Sequence, residues 1–170
     1  SVIVPFMAIL YVATSVVILV LNWDRVPDAL GLIIHSAFDP QSAIGGALGF
    51  TVMKAIQSGV ARGIFSNESG LGSAPIAAAA AQTKEPARQG LISMTGTFLD
   101  TIIVCTMTGI VLVLTGTWQN PNVAGAVATN LAFAQGLGTS VGATIVTIGL
   151  LFFAFTTILG WCYYGERCFV

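Results

Sequence analysis

Charge is scarce in this sequence: six Lys or Arg and seven Asp or Glu among 170 residues, 8% of the chain, against about 25% in an ordinary soluble domain. A water-soluble globular fold is excluded. The net charge of −1 supplies no positive field to hold a phosphate backbone, so nucleic acid is set aside as a partner. Histidine occurs once, at His35, and cysteine three times, at Cys105, Cys162 and Cys168, without CxxC spacing. That pattern supports neither a metal nor a redox centre, and the three thiols read as packing groups.

What is abundant is apolar: 55% of the residues are hydrophobic and the mean hydropathy is +0.89. A bilayer is crossed by roughly 20 apolar residues, and the chain divides into about four such stretches. They are 2–23, a discontinuous 42–82, 90–116 and 140–164. The expected fold class is therefore all-α integral membrane. The chain starts at Ser1 without a methionine and stops at Val170 inside an apolar, aromatic run, which reads as an internal fragment (1–170) of a single transmembrane domain. No basic, signal-peptide-like region precedes the first run.

Between the first two stretches, Asp24, Arg25, Asp28, Asp39, Pro27 and Pro40 surround an apolar piece, Ala29 to Phe38, too short to cross. Asp24 to Gln41 is expected at or outside the membrane surface. Thr117 to Thr139 reads as a loop without Lys or Arg, whereas Lys84 and Arg88 precede the third stretch and Arg167 follows the fourth. The positive-inside bias places those basic ends in the cytoplasm of a multi-pass plasma (inner) membrane protein.

The chemistry concentrates in Gly59 to Ala81, GVARGIFSNESGLGSAPIAAAAA. Gly70 and Gly72 weaken helix continuity, and Pro75 lacks an N–H and suits the first turn of a new helix. The pattern predicts a half-helix to about Phe65, an unwound piece from Ser66 to Gly72 and a second half-helix from Ser73. Broken backbone at membrane depth is tolerated only inside protein or beside a cavity. Its carbonyl end attracts a cation and its N–H end a carboxylate, the two charges of an amino-acid zwitterion. Gly45 with Gly49, and Gly59 with Gly63, are GxxxG spacings that serve close helix packing. Packing explains small residues but not Asn67 and Glu68.

The run GIFSNESGLGSAPIAAAAA, with Lys54 and Arg62 upstream and QTKEPARQG downstream, closely resembles the sodium-coupled alanine/glycine symporters of the amino acid/polyamine/organocation superfamily. The resemblance implies a leucine-transporter-like fold of two inverted five-helix repeats, of which these would be the fifth to eighth helices. It implies sodium as the coupling ion, no cofactor and no enzymatic step. The partners implied are a small neutral amino acid, the lipid bilayer and the remaining helices of the same protein.

Carried onto these residues, Phe65 resembles an aromatic lid and Ser66 a cation-site hydroxyl. Asn67, Gly70, Leu71 and Gly72 form the substrate-binding turn, with Leu71 at the pocket floor. Arg62 stands one turn before Phe65 as an outer gate or a snorkelling arginine. Ala154 and Thr157 match the carbonyl and hydroxyl of a second sodium site, with Thr156 the neighbouring alternative; the superfamily's further hydroxyl is Ile158 here. Two such oxygens one turn apart converge on one face.

Trp161, a turn beyond Thr157, resembles the tryptophan that limits pocket volume, while Tyr163, Tyr164, Glu166 and Arg167 fit an interfacial belt. Asp100, at mid-membrane depth, is either a sodium ligand or the partner of a basic group. Glu68 either steadies the turn or carries a proton, which keeps proton coupling on the same fold open as an alternative. A channel is disfavoured by a single asymmetric break. A serine hydrolase using Ser69 or Ser73 lacks a base in reach, because His35 falls in the surface segment.

Overall fold

The computed structural model describes residues 3–38, 49–120 and 122–169, and every regular element among them is helical. The start of the second expected span, Gly45 included, lies outside the described residues. Helix α1, Ile3–Leu21, is uninterrupted because Pro5 falls within its first turn, where no intrahelical bond is lost. A 3-10 turn, Trp23–Arg25, leads into α2, Val26–Phe38, and the chain bends there by 81°. If α1 stands along the bilayer normal, α2 lies close to the membrane plane, with Asp28 and His35 exposed.

Next come α3, Gly49–Phe65, the single turn α4, Glu68–Leu71, and α5, Ala74–Ala79. Helix α6, Pro86–Thr115, is 30 residues long and includes a π-helical stretch, Phe98–Cys105. A 3-10 turn, Thr117–Gln119, and α7, Ala126–Leu137, precede α8, Ser140–Phe169. Helices α6 and α8 are long and apolar enough to cross a membrane, and the bent α1–α2 pair makes a third candidate. The described part of the 42–82 stretch, expected to be discontinuous, is divided into α3, α4 and α5.

Two expectations are corrected. Thr117 to Thr139 is not a plain loop, because α7 occupies most of it and buries Ala132 and Phe133 completely. Its 12 residues are too few to register as a span, so hydropathy at bilayer length overlooks it. Helix α6 starts at Pro86, not near Gly90, so Arg88 lies in its first turn. Proline suits that first position because its missing N–H would have had no partner there.

The core lies where α1, α6, α7 and α8 meet, around Tyr11, Ile18, Val111, Ala132, Phe133 and Val146. Lipid is as apolar as leucine, so such helices associate through close packing and hydrogen bonds. Both are present. The Tyr11 and Phe133 rings lie 5.1 Å apart, and Tyr11 Oη and Thr108 Oγ1 share a hydrogen bond of 2.7 Å. Asn22 Nδ2 donates to the carbonyls of Ile18 and Gly136, at 2.9 and 3.0 Å. Gly136 sits so close to α1 that an added Cβ would come within 2.6 Å of Ile18 Cγ2. This bundle braces α6 and α8, the two helices that frame the break.

Candidate functional site

The break is built by three capping devices. Helix α3 ends after Phe65, and Asn67, in an extended conformation at φ −143° and ψ 166°, accepts the Gly70 N–H on Oδ1 at 3.2 Å. Asparagine is among the strongest N-caps because its side-chain oxygen satisfies a helix-start donor. Gly72, at φ +77°, then reverses the chain in the left-handed region that only glycine enters freely. Its N–H and that of Ser73 both donate to the Glu68 carbonyl. Pro75, in the first turn of α5, opens the last piece.

The segment from Ser66 to Gly72 is thus not unwound throughout: the capped turn α4 stands in its middle, with breaks on either side. The second half-helix is also short, ending at Ala79. Gly70 explains why α4 fits there, since a Cβ on it would collide with the Ile64 carbonyl of α3. Gly59 and Gly63 meet no neighbour among the described residues that a Cβ would touch.

Side chains fasten this turn to α6. Ser66 Oγ donates to Asp100 Oδ2 at 3.0 Å and lies 3.6 Å from Cys105 Sγ. Asn67 Nδ2 donates to Thr101 Oγ1 at 3.2 Å, and Ser69 and Thr97 share a hydroxyl pair at 3.0 Å. Thr97 lies at the edge of the π-helical stretch, while Asp100, Thr101 and Cys105 lie within it; such bulges occur mostly at functional sites. Two of the sequence-selected cation candidates, Ser66 and Asp100, are thereby brought together. Their oxygens are hard donors, and a hydroxyl that donates one hydrogen bond keeps lone pairs for a cation.

A cavity opens on each side of the turn. One, of about 450 Å³, lies against α8 and is lined by Phe65, Ser66, Asn67, Glu68, Leu71, Thr156, Thr157, Gly160, Trp161 and Tyr164. The other, of about 430 Å³, faces α6 and holds Asp100, Thr97, Ser93 and Gln89 beside the same Ser66, Asn67 and Glu68. Of the residues selected from sequence, Phe65, Ser66, Asn67, Leu71, Thr157 and Trp161 converge on the first cavity, and Asp100 borders the second. Gly70 and Gly72 shape the turn without lining either cavity. Arg62 and Ala154 are exposed and line neither.

Local bonds refine these roles. The Asn67 amide is engaged at both ends, which makes it a brace of the turn. Thr157 Oγ1 donates to the Phe153 carbonyl at 2.7 Å, and Thr156 Oγ1 to those of Phe152 and Phe153 at 2.9 and 3.0 Å. Ser73 Oγ is buried without a hydrogen-bond partner among the described residues.

Tyr164 overturns its assignment to the interfacial belt. It is only 8% exposed, and its hydroxyl donates to Glu68 Oε1 at 2.5 Å across 96 residues of sequence. Proximity to Glu166 and Arg167 pointed to the surface, and nothing local indicates a partner so far along the chain. Tyr163 instead carries the Arg167 guanidinium 5.1 Å over its ring.

The chain is 85% identical over 170 residues to an uncharacterized transporter of Haemophilus influenzae, covering all of this chain and 37% of that protein. It is 52% identical over 172 residues to the sodium/alanine symporter AgcS of Methanococcus maripaludis, covering 99% of this chain and 37% of the relative. A probable sodium/glutamine symporter, GlnT, of Bacillus subtilis is 38% identical over 164 residues, covering 96% and 33%. The chain therefore spans about a third of the length of these relatives. The model of the sodium:alanine symporter family matches residues 1–170 without remainder. A match over every residue, with 52% identity to a symporter of that name, means that this chain belongs to the sodium:alanine symporter family.

Proposed function

We propose that this chain supplies part of the binding site of a secondary active transporter that couples sodium entry to uptake of a small neutral amino acid. One observation carries the proposal: the capped turn from Ser66 to Gly72 borders a cavity of about 450 Å³ whose far wall is Trp161. The zwitterion's carboxylate is received near the N–H groups of the turn, and sodium by Ser66 and Asp100, 3.0 Å apart. A second sodium uses the Ala154 carbonyl and Thr157. Phe65 closes over the ligand, with Arg62 as the outer gate. Trp161 limits side-chain size to that of glycine or alanine. The name of the Bacillus subtilis relative, a glutamine symporter, shows why the wall residue needs its own test.

The surrounding architecture is proposed with it. The four apolar stretches 2–23, 42–82, 90–116 and 140–164 correspond to the fifth to eighth helices of an inverted-repeat fold in the plasma membrane, with Lys84, Arg88 and Arg167 on the cytoplasmic side. Sodium orders the pocket and tightens amino-acid binding, and by thermodynamic reciprocity the amino acid tightens sodium binding. Alternating exposure of the pocket then couples the two fluxes.

Uptake by the full-length transporter in proteoliposomes tests the reading. Alanine and glycine should accumulate under a sodium gradient and not under a potassium gradient, with competition from small but not large amino acids. Accumulation driven by protons alone would replace sodium and move Glu68 and Asp100 into proton carriage. No uptake of either amino acid under any gradient would refute the substrate class.

A further inference from the structure

We infer that Tyr164 is a positioning residue that sets both the breadth and the affinity of the cavity, by tethering Glu68 at its wall and bracing Trp161. The inference rests on the proposed amino-acid site and adds a residue to it. Near the end of a 30-residue apolar helix and close to Arg167, a tyrosine ordinarily turns its hydroxyl to water. Here the side chain is buried and turns inward.

Its two ends do different things. The hydroxyl donates to Glu68 Oε1 at 2.5 Å, which is, among the described residues, the one hydrogen bond joining the turn to α8. A hydroxyl donating to a carboxylate is about twice as strong as a neutral pair. Glu68 opens α4, and its carbonyl already receives the N–H groups of Gly72 and Ser73. Fixing Glu68 therefore fixes the turn. The ring meets Trp161 edge to face, with centroids 5.9 Å apart and planes at 75°. Such a contact holds the indole across the cavity.

Without the hydroxyl, the Glu68 carboxylate loses its tether and is free to swing into the cavity it lines, where its negative charge opposes the carboxylate of an arriving zwitterion. Affinity falls while the moving parts stay intact. Without the ring, Trp161 loses its support and the wall yields to larger side chains.

The test uses the full-length transporter. Tyr164→Phe keeps the ring and should raise the KM for alanine about tenfold or more, the worth of a charged hydrogen bond, with the maximal rate within about twofold. Adding Glu68→Gln removes the charge and should bring KM back towards wild type. Tyr164→Leu should admit larger amino acids as competitors, and Tyr163→Phe should change nothing. A fall in maximal rate with unchanged KM, or no rescue by Glu68→Gln, would overturn the inference and leave only a structural role.

Hydrogen–deuterium exchange gives a readout independent of substrate identity. In Tyr164→Phe the amides from Gly70 to Ser73 should exchange about tenfold faster than in wild type. If wild type transports no alanine, the proposed function fails, yet faster exchange would still support positioning and unchanged exchange would refute it. Should Tyr164→Phe not reach the membrane, Glu68→Gln alone weakens the same bond and should also speed exchange at these amides; exchange at the wild-type rate would refute the inference.

Discussion

Substituting Gly70 by alanine separates the turn described above from a merely small-residue packing site. The added Cβ would strike the Ile64 carbonyl oxygen, with the carbonyl carbon at 2.9 Å and the Cα at 3.0 Å. All three are backbone atoms of the last turn of α3, so no side chain can rotate aside. Either α4 lifts away or the end of α3 unravels. Overpacking costs about 1–3 kcal/mol. Displacing α4 also strains the three side-chain hydrogen bonds to α6, each worth about 1 kcal/mol. If the overpacking is accompanied by the loss of one of those bonds, the total is about 2–4 kcal/mol, or a rise in KM of roughly thirtyfold to a thousandfold if the loss falls on binding.

Gly72 offers a control of opposite character. A Cβ there meets open space, and the difficulty is φ +77° alone, which costs a side chain about 1–2 kcal/mol. Asparagine tolerates that region better than alanine. Gly72→Asn should therefore recover much of the loss seen in Gly72→Ala, whereas Gly70→Asn should recover none of that in Gly70→Ala. Sodium-driven alanine uptake, read beside the Tm of the purified protein, measures both. A Gly70→Ala protein with wild-type KM and Tm would falsify the close approach of α4 to α3.

The remaining predictions address single groups. Asp100→Asn should shift the sodium activation curve of uptake to higher sodium, and Ser66→Ala should shift it in the same direction; an unaltered curve in both would remove the pair from the cation site. Trp161→Ala should widen competition to larger amino acids, and an unchanged competition profile would take Trp161 out of the pocket wall. Ser73→Ala, which removes a buried hydroxyl without a partner, should leave stability unchanged or raise it by about 1 kcal/mol. A Tm several degrees lower would mean that the hydroxyl has a partner.

The break was legible in the sequence because its signals are local. Asn67 caps, Gly72 reverses the chain and Pro75 restarts it, each within three residues of the bond that needs it. Long uncharged runs likewise marked α6 and α8. Short apolar helices were harder: α7 has too few residues to stand out, and it is recognised as a helix only by the core that Phe133 and Ala132 enter. The π-helical stretch in α6 carries no composition signal. Most of the cavity lining followed from spacing and resemblance, but Tyr164 did not, because its partner lies 96 residues away and its neighbours argue for the interface. The side of the break on which Asp100 falls is set by helix packing and was equally invisible.

The hydrogen bonds that fasten the turn to α6 have a consequence for binding kinetics and entropy. Fixing the backbone of one residue costs about 1–2 kcal/mol in lost conformational freedom. A free loop from Ser66 to Gly72 would incur that cost each time a ligand arrived. Here Ser66, Asn67 and Ser69 are already engaged with Asp100, Thr101 and Thr97, so the disorder is given up once, during folding. Preorganisation of this kind lets weak contacts to a very small solute add up to useful affinity. Under the proposed function, a ligand with few atoms to offer would meet a turn that is already in shape, and its binding energy would remain available to bias the next conformational step.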